Sequence, residues 1–168
     1  MIKLEADSLT PALKALSGLD RRRLMEATGQ HLVNMATRAF SFANLRPSPW
    51  APRKGKGAHA LLRKTGTLWR SLRVITATDR SVVVGSDRKY AAIHQLGGVI
   101  PPCIIRPKKK QALYWPGAKH PVKSVKRRAV TIPPRPFFPV TSAGRLTPKA
   151  EAGIREIVRI RLRQASQK

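Results

Sequence analysis

Three things are scarce in this chain, and each scarcity excludes something. There is 1 cysteine, Cys103. Neither an intrachain disulfide nor a multi-cysteine metal site can form, and a reducing cytosol is the expected folding compartment. There are 8 acids against 34 lysines and arginines. Most of the acids sit near the chain ends, so the paired carboxylates of a two-metal nuclease are hard to assemble. Aromatics make up 5% of the residues, too few for a base-stacking sheet, and no recognition-helix, RRM or zinc pattern is present. No apolar run is long enough to cross a bilayer. Residues 1–18 carry early acids and no continuous apolar stretch, unlike a secretory signal.

What remains is a basic chain of one-domain size. Its 168 residues suit a single domain spanning 1–168. The formal net charge is +26. Self-repulsion at that level opposes compaction, and a polyanionic partner is the simplest physical remedy. The charge is also segregated. Between residues 27 and 78 there are 9 lysines or arginines and no acid, and between 88 and 150 there are 14 and again none. One-signed stretches of that length suit a surface that faces phosphate, without sequence specificity.

The chain is organised around Tyr90-Ala-Ala-Ile-His-Gln-Leu-Gly-Gly98. An alternating run, Ser81–Gly85, precedes it and reads as a strand. Ser86 and Asp87 are candidate caps for one short helix of about two turns. The two glycines end it, because Gly adopts the left-handed conformation at no steric cost. Ala91 and Ala92 are small enough to let that helix lie close to a sheet.

The preceding elements follow from periodicity. Residues 1–19 read as an N-terminal extension with a short helix around Leu9–Leu16. Asp20 caps a longer helix to about Phe42, with Leu24, Thr28, Leu32, Met35, Ala39 and Phe42 drawing one buried stripe that Met25, Ala36 and Phe40 widen. His31 beside the stripe is expected to be a satisfied structural histidine. Residues 44–59 form a Pro- and Gly-rich loop anchored by Trp50. The Gly spacing in Arg53-Lys-Gly-Lys-Gly57 does not make a P-loop. Thr65 or Thr67 can cap a helical turn containing Leu68, Trp69 and Leu72. Arg73–Thr78 and Ser81–Gly85 then pair as an antiparallel hairpin.

The second half is more irregular. Residues 99–131 read as an inserted basic β-arm: Val99–Pro107 and Gln111–Pro116 are two extended limbs joined at Lys108-Lys-Lys110. Gly117–Val125 reads as a loop and Lys126–Ile132 as a strand with a basic start. In Ile132-Pro-Pro-Arg-Pro-Phe-Phe138 the backbone is stiff and extended, so Phe137 and Phe138 point to opposite sides. One can enter this chain's core and the other a neighbour's, or the terminal helix can shield both. Thr147 and Pro148 open a final helix with Ile154, Ile157, Val158 and Leu162 on its apolar face. The expected fold is α+β: a small antiparallel sheet packed against a long N-terminal helix and a C-terminal helix, with the arm inserted.

Pro49-Trp50, Thr65-Gly-Thr-Leu-Trp-Arg-Ser-Leu72, Tyr90–Gly98 and Ile132–Phe138 occur in an order that resembles the tailed-phage virion morphogenesis, or tail completion, proteins of the Mu-like and P2-like kinds. These are in turn similar to neck and tail-completion proteins of lambdoid-type phages. The resemblance covers roughly residues 20 to 165. The family's pattern has Phe where Leu96 stands and Ala where Pro134 stands, both mild changes. It implies a structural protein of the head–tail junction, in the virion neck after assembly in the host cytoplasm, with no cofactor and no catalysis. The expected partners are further copies in a ring, most simply a hexamer, adjacent neck, connector or tail tube proteins, and genomic DNA in the lumen; no membrane is involved.

The residues expected at the subunit interface are Tyr90, His94, Gln95, Pro134, Arg135, Pro136, Phe137 and Phe138. The expected DNA-facing basic residues are Arg53, Lys54, Lys56, Lys108, Lys109, Lys110, Lys126, Arg127 and Arg128. The rival class is a free nucleic-acid-binding protein with no place in the particle. An enzyme is disfavoured: His31, His59, His94 and His120 lack metal-site spacing, and no nucleophile is marked by a base.

Overall fold

The computed structural model describes residues 18–53, 59–108 and 111–166. The helix expected around Leu9–Leu16, and Lys54, Lys56, Lys109 and Lys110, lie outside the described residues.

Helix α1 spans Arg21–Ala39, and the Asp20 carboxylate caps it by accepting from the Arg23 N–H at 3.0 Å. Leu24, Thr28, Leu32, Met35, Ala36 and Ala39 form its buried stripe, as the three-to-four spacing requires. The stripe stops short of its expected end. The helix closes at Ala39, a 3-10 turn follows at Ala43–Leu45, and Phe42 is left 52% exposed under the Arg38 guanidinium. Phe40, expected to widen the stripe, is in the core.

A one-turn helix α2, Thr67–Arg70, leads into the hairpin. Gly66, at φ 73°, occupies its N-cap in place of the expected threonine. Strands β1, Leu72–Ala77, and β2, Val82–Ser86, pair antiparallel with an irregularity at Ile75. One face of this hairpin lies against α1. The approach is close enough that a methyl group on Gly29 would come within 2.9 Å of Val74.

Helix α3, Ala91–Leu96, begins at Tyr90 without a side-chain cap. Ser86 and Asp87 serve the turn before it. The Ser86 hydroxyl accepts from the Arg88 N–H at 3.1 Å, and Asp87 pairs with Arg73 and Arg88. Both side chains act too early in the chain to reach the first helical N–H groups. Ala91 packs against the core, while Ala92 is exposed.

The arm is one long, interrupted hairpin. Strand β3, Gly98–Ile100, pairs with β6, Val130–Ile132; β4, Cys103–Ile105, pairs with β5, Val125–Arg127. Gln111–Pro116 is not the returning limb. It folds onto the stretch read as a loop, through a bridge between Leu113 and Val122.

Helix α4, Pro148–Ser166, lies along α1, joined through Leu32, Met35, Ala150 and Ile154. His31 meets Gly153 at this crossing. Its Nε2 is buried without a hydrogen-bond partner, so it is not the satisfied histidine expected. The main core gathers Val33, Ala36, Phe40, Trp50, Leu68, Leu72 and Phe137. The architecture is α+β, as expected.

Candidate functional site

The two motifs that organise the sequence meet in space. Residues 134–138 run between α3 on one side and the loop after Pro49 on the other. The Gln95 side-chain carbonyl accepts from the N–H groups of both Phe137 and Phe138, at 2.9 and 3.1 Å. The Arg135 N–H donates to the His94 carbonyl at 2.7 Å. From the other side, the Trp50 indole N–H donates to the Pro136 carbonyl at 2.7 Å, and the Arg135 guanidinium donates to the carbonyls of Ala51 and Pro52 at 3.1 and 3.3 Å.

Proline makes this arrangement necessary. Three prolines in 133–136 remove three N–H donors, so the segment cannot join a sheet ladder. The donors that remain need acceptors, and Gln95 supplies one oxygen for two of them. Gly97 is the steric condition. It sits at φ 74°, and a Cβ there would lie 2.8 Å from the backbone nitrogen of Pro134.

Phe137 is fully buried, packed at 5.2 Å from the Phe40 ring, which in turn meets Trp50 edge-on at 5.6 Å. Arg46 stacks over Trp50 at 3.9 Å and closes the core edge. Phe138 is half-buried and touches Phe137 at 5.1 Å. Of the expected interface residues, Gln95, Arg135 and Phe137 therefore make their contacts inside this chain. Tyr90, Pro134 and Phe138 retain surface, Tyr90 and Pro134 being exposed.

His94 is the one titratable group of this clasp with a displaced pKa. Burial, and then the Arg135 guanidinium, hold its imidazole below the ordinary value, so it is neutral at pH 7. Its Nδ1 is buried without a partner.

The basic residues divide between two places. Arg53 lies on the body, where its guanidinium donates to the His59 carbonyl at 2.8 Å. Lys108, Lys126 and Arg128 are exposed on the arm, and Arg127 is half-buried opposite Cys103. The arm also carries exposed apolar side chains: Ile104, Ile105, Tyr114 at 69% and Trp115 at 46%. Sequence reading missed these, along with Lys64 and His59, which the fold brings beside His94 and Arg53. The only available signal was Tyr114-Trp115 standing among lysines.

Each of the 6 acids among the described residues already pairs with an arginine of this chain, at distances from 3.0 to 3.9 Å. No described carboxylate is left to balance the remaining cations. Among those residues there is also no group of His, Cys, Asp and Glu able to hold a metal ion, and no helix long and apolar enough to cross a membrane.

The described residues thus form a basic α+β fold whose arm exposes apolar side chains among its cations. The chain matches the phage virion morphogenesis family over residues 4–163, and it belongs to that family. Its part is accordingly in virion morphogenesis, in association with the phage particle, and proteins of such a family are typically structural. Comparison with curated proteins and with solved structures found no match to either.

Proposed function

We propose that this protein completes the tail and joins it to the head, as an oligomeric ring in the neck whose basic lumen faces the passing genome. The observation that carries this is the arm. Val99, Ile104, Tyr114 and Trp115 are all exposed there, between lysines and arginines, with little cover from the described residues. An aromatic and aliphatic patch with a polar rim is the composition of an association surface. The clasp gives the arm a rigid base: β6 runs directly into the anchored Ile132–Phe138 segment.

The arm reaches an adjacent subunit or the next ring. Head-to-tail repetition of such a contact closes a ring, and a hexamer is the simplest symmetry for a phage tail axis. The remaining positive charge then lines the passage, with Arg53 on the body and Lys108 and Lys126–Arg128 on the arm. Mobile side chains screen the DNA phosphates without gripping any sequence. Tyr90, Pro134 and Phe138 form the body's share of the subunit contact.

Cryo-EM of intact particles tests this directly, by locating density for the chain at the head–tail junction. Particles that join and infect normally without the protein would refute it. So would purification with host nucleic acid and never with virions, which is the behaviour of a free nucleic-acid-binding protein. Phe138→Ala should deplete the ring on gel filtration while the monomer stays folded.

A further inference from the structure

A concavity of about 260 Å³ opens beside α3, and its polar lining is Arg53, His59, Lys64, Thr65, Tyr90 and His94. These residues come from three separate stretches of chain. Two of them are permanent cations, and no carboxylate lines the space. Bringing like charges together costs free energy unless an anion lies between them. The described acids are all engaged with arginines elsewhere, so this chain's described residues supply no such anion.

The rest of the lining suits one kind of anion. The hydroxyls of Thr65 and Tyr90 are donors of the sort that contact phosphate oxygens, alongside Lys and Arg. The space is ample for a single phosphate group with its water.

The site is also held in advance of any ligand. Leu62 sits at φ 58°, a left-handed conformation that costs a non-glycine residue about 1–3 kcal/mol. Its side chain packs against the main core, and the turn is closed by the Arg63 N–H on the Ala60 carbonyl at 3.2 Å. The Arg53–His59 hydrogen bond joins two of the lining residues and, among the described residues, occupies one of the guanidinium's five donors.

We propose that this concavity is a seat for one phosphate group, with Lys64 and Arg53 supplying charge and Thr65 and Tyr90 supplying hydroxyl donors. A backbone phosphate of nucleic acid and a free phosphate ion present the same chemistry to it. The seat itself stands apart from the neck reading, which bears only on which of the two sources fills it.

The test is a titration of the full chain with inorganic phosphate, followed by NMR. Signals of His94 and Thr65 should move and saturate at one phosphate per chain. Lys64→Gln should weaken that binding about tenfold or more, the loss expected for one charge-assisted hydrogen bond. Lys89→Gln, an exposed cation outside the lining, should leave it unchanged. An unmoved His94 signal, or binding that survives Lys64→Gln, overturns the proposal. An unchanged thermal melt for Lys64→Gln keeps unfolding out of the comparison.

Duplex DNA, followed by anisotropy across a salt series, separates the sources. If DNA fills the seat, Lys64→Gln weakens DNA binding more than Lys89→Gln does and lowers the salt slope by about one contact. If the two variants act alike on DNA while inorganic phosphate still saturates, the seat stands with the free ion as its occupant. A chain that sits in the neck but ignores phosphate loses the seat and keeps the proposed function. A chain that binds phosphate but is absent from particles does the reverse.

Discussion

The body and the arm of this molecule use apolar residues in opposite ways. In the body, Phe40, Trp50, Leu68, Leu72 and Phe137 are spent on one shared core, and the clasp spends Gln95, Arg135 and the Trp50 indole on internal hydrogen bonds. In the arm, Ile104, Ile105, Tyr114 and Trp115 are on the surface, and the ladders are three residues long. Short two-stranded ladders are marginal by themselves in water. The apolar side chains of the body therefore cover one another, and those of the arm largely do not. That difference places the folding energy in the body, and the association proposed above would draw on the arm.

The hardest blow to the body is Phe137→Ala. It removes a fully buried ring that touches both Phe40 and Phe138. The expected loss is about 3–5 kcal/mol in urea unfolding, a large part of a typical domain's stability. Next comes Gln95→Leu, which orphans two backbone N–H groups at about 1–3 kcal/mol each. Gln95→Glu keeps an acceptor and should recover most of that loss. If both variants unfold alike, packing of the side chain matters and the hydrogen bonds do not.

These elements were unequally legible in the sequence. The α1 stripe and the β1–β2 hairpin were readable because a local period of 3.6 or 2 carries the information. The convergence of Tyr90–Gly98 with Ile132–Phe138 was readable as two motifs that belong together. Which of Phe40 and Phe42 enters the core was not, because that depends on the helix ending at Ala39, a tertiary matter. The partner of β4 was also hidden. Several extended stretches compete for it, and local sequence does not choose between them. The Lys64–His94 concavity was invisible, since its lining comes from Arg53, from residues 59–68 and from residues 90–94, which only the fold juxtaposes.

The arm's side of the comparison is tested by changing Tyr114 and Trp115 together to Ala. Unfolding of the isolated chain should move by no more than about 0.5 kcal/mol, as for surface positions generally. Association, followed by analytical ultracentrifugation, should weaken by about 2 kcal/mol or more, the scale of an aromatic hot spot. A large drop in monomer stability would show that the arm is a second core, and the contrast between the regions would fail.

The smallest expected effect is the pH response of the clasp, and it concerns the point where body and arm join. The His94 pKa is lowered in the folded chain by burial and by Arg135. The unfolded chain, with an ordinary value near 6.5, therefore takes up its proton first as pH falls. The stabilising contribution of neutral His94 is complete above about pH 6.5 and is lost on descending from there toward the lowered folded value; below that it changes no further. Arg135 from the clasp resists a positive imidazole, and Arg53 and Lys64 line the same concavity. Urea midpoints measured between pH 7.5 and 5.5 should fall for the natural chain and fall less steeply for His94→Gln. His31, His59 and His120 are present in both proteins, so the difference between the two slopes belongs to His94. Equal slopes would mean that His94 does not couple protonation to folding, and that the join between body and arm is held by Gln95 and Arg135 without a neutral imidazole beside them.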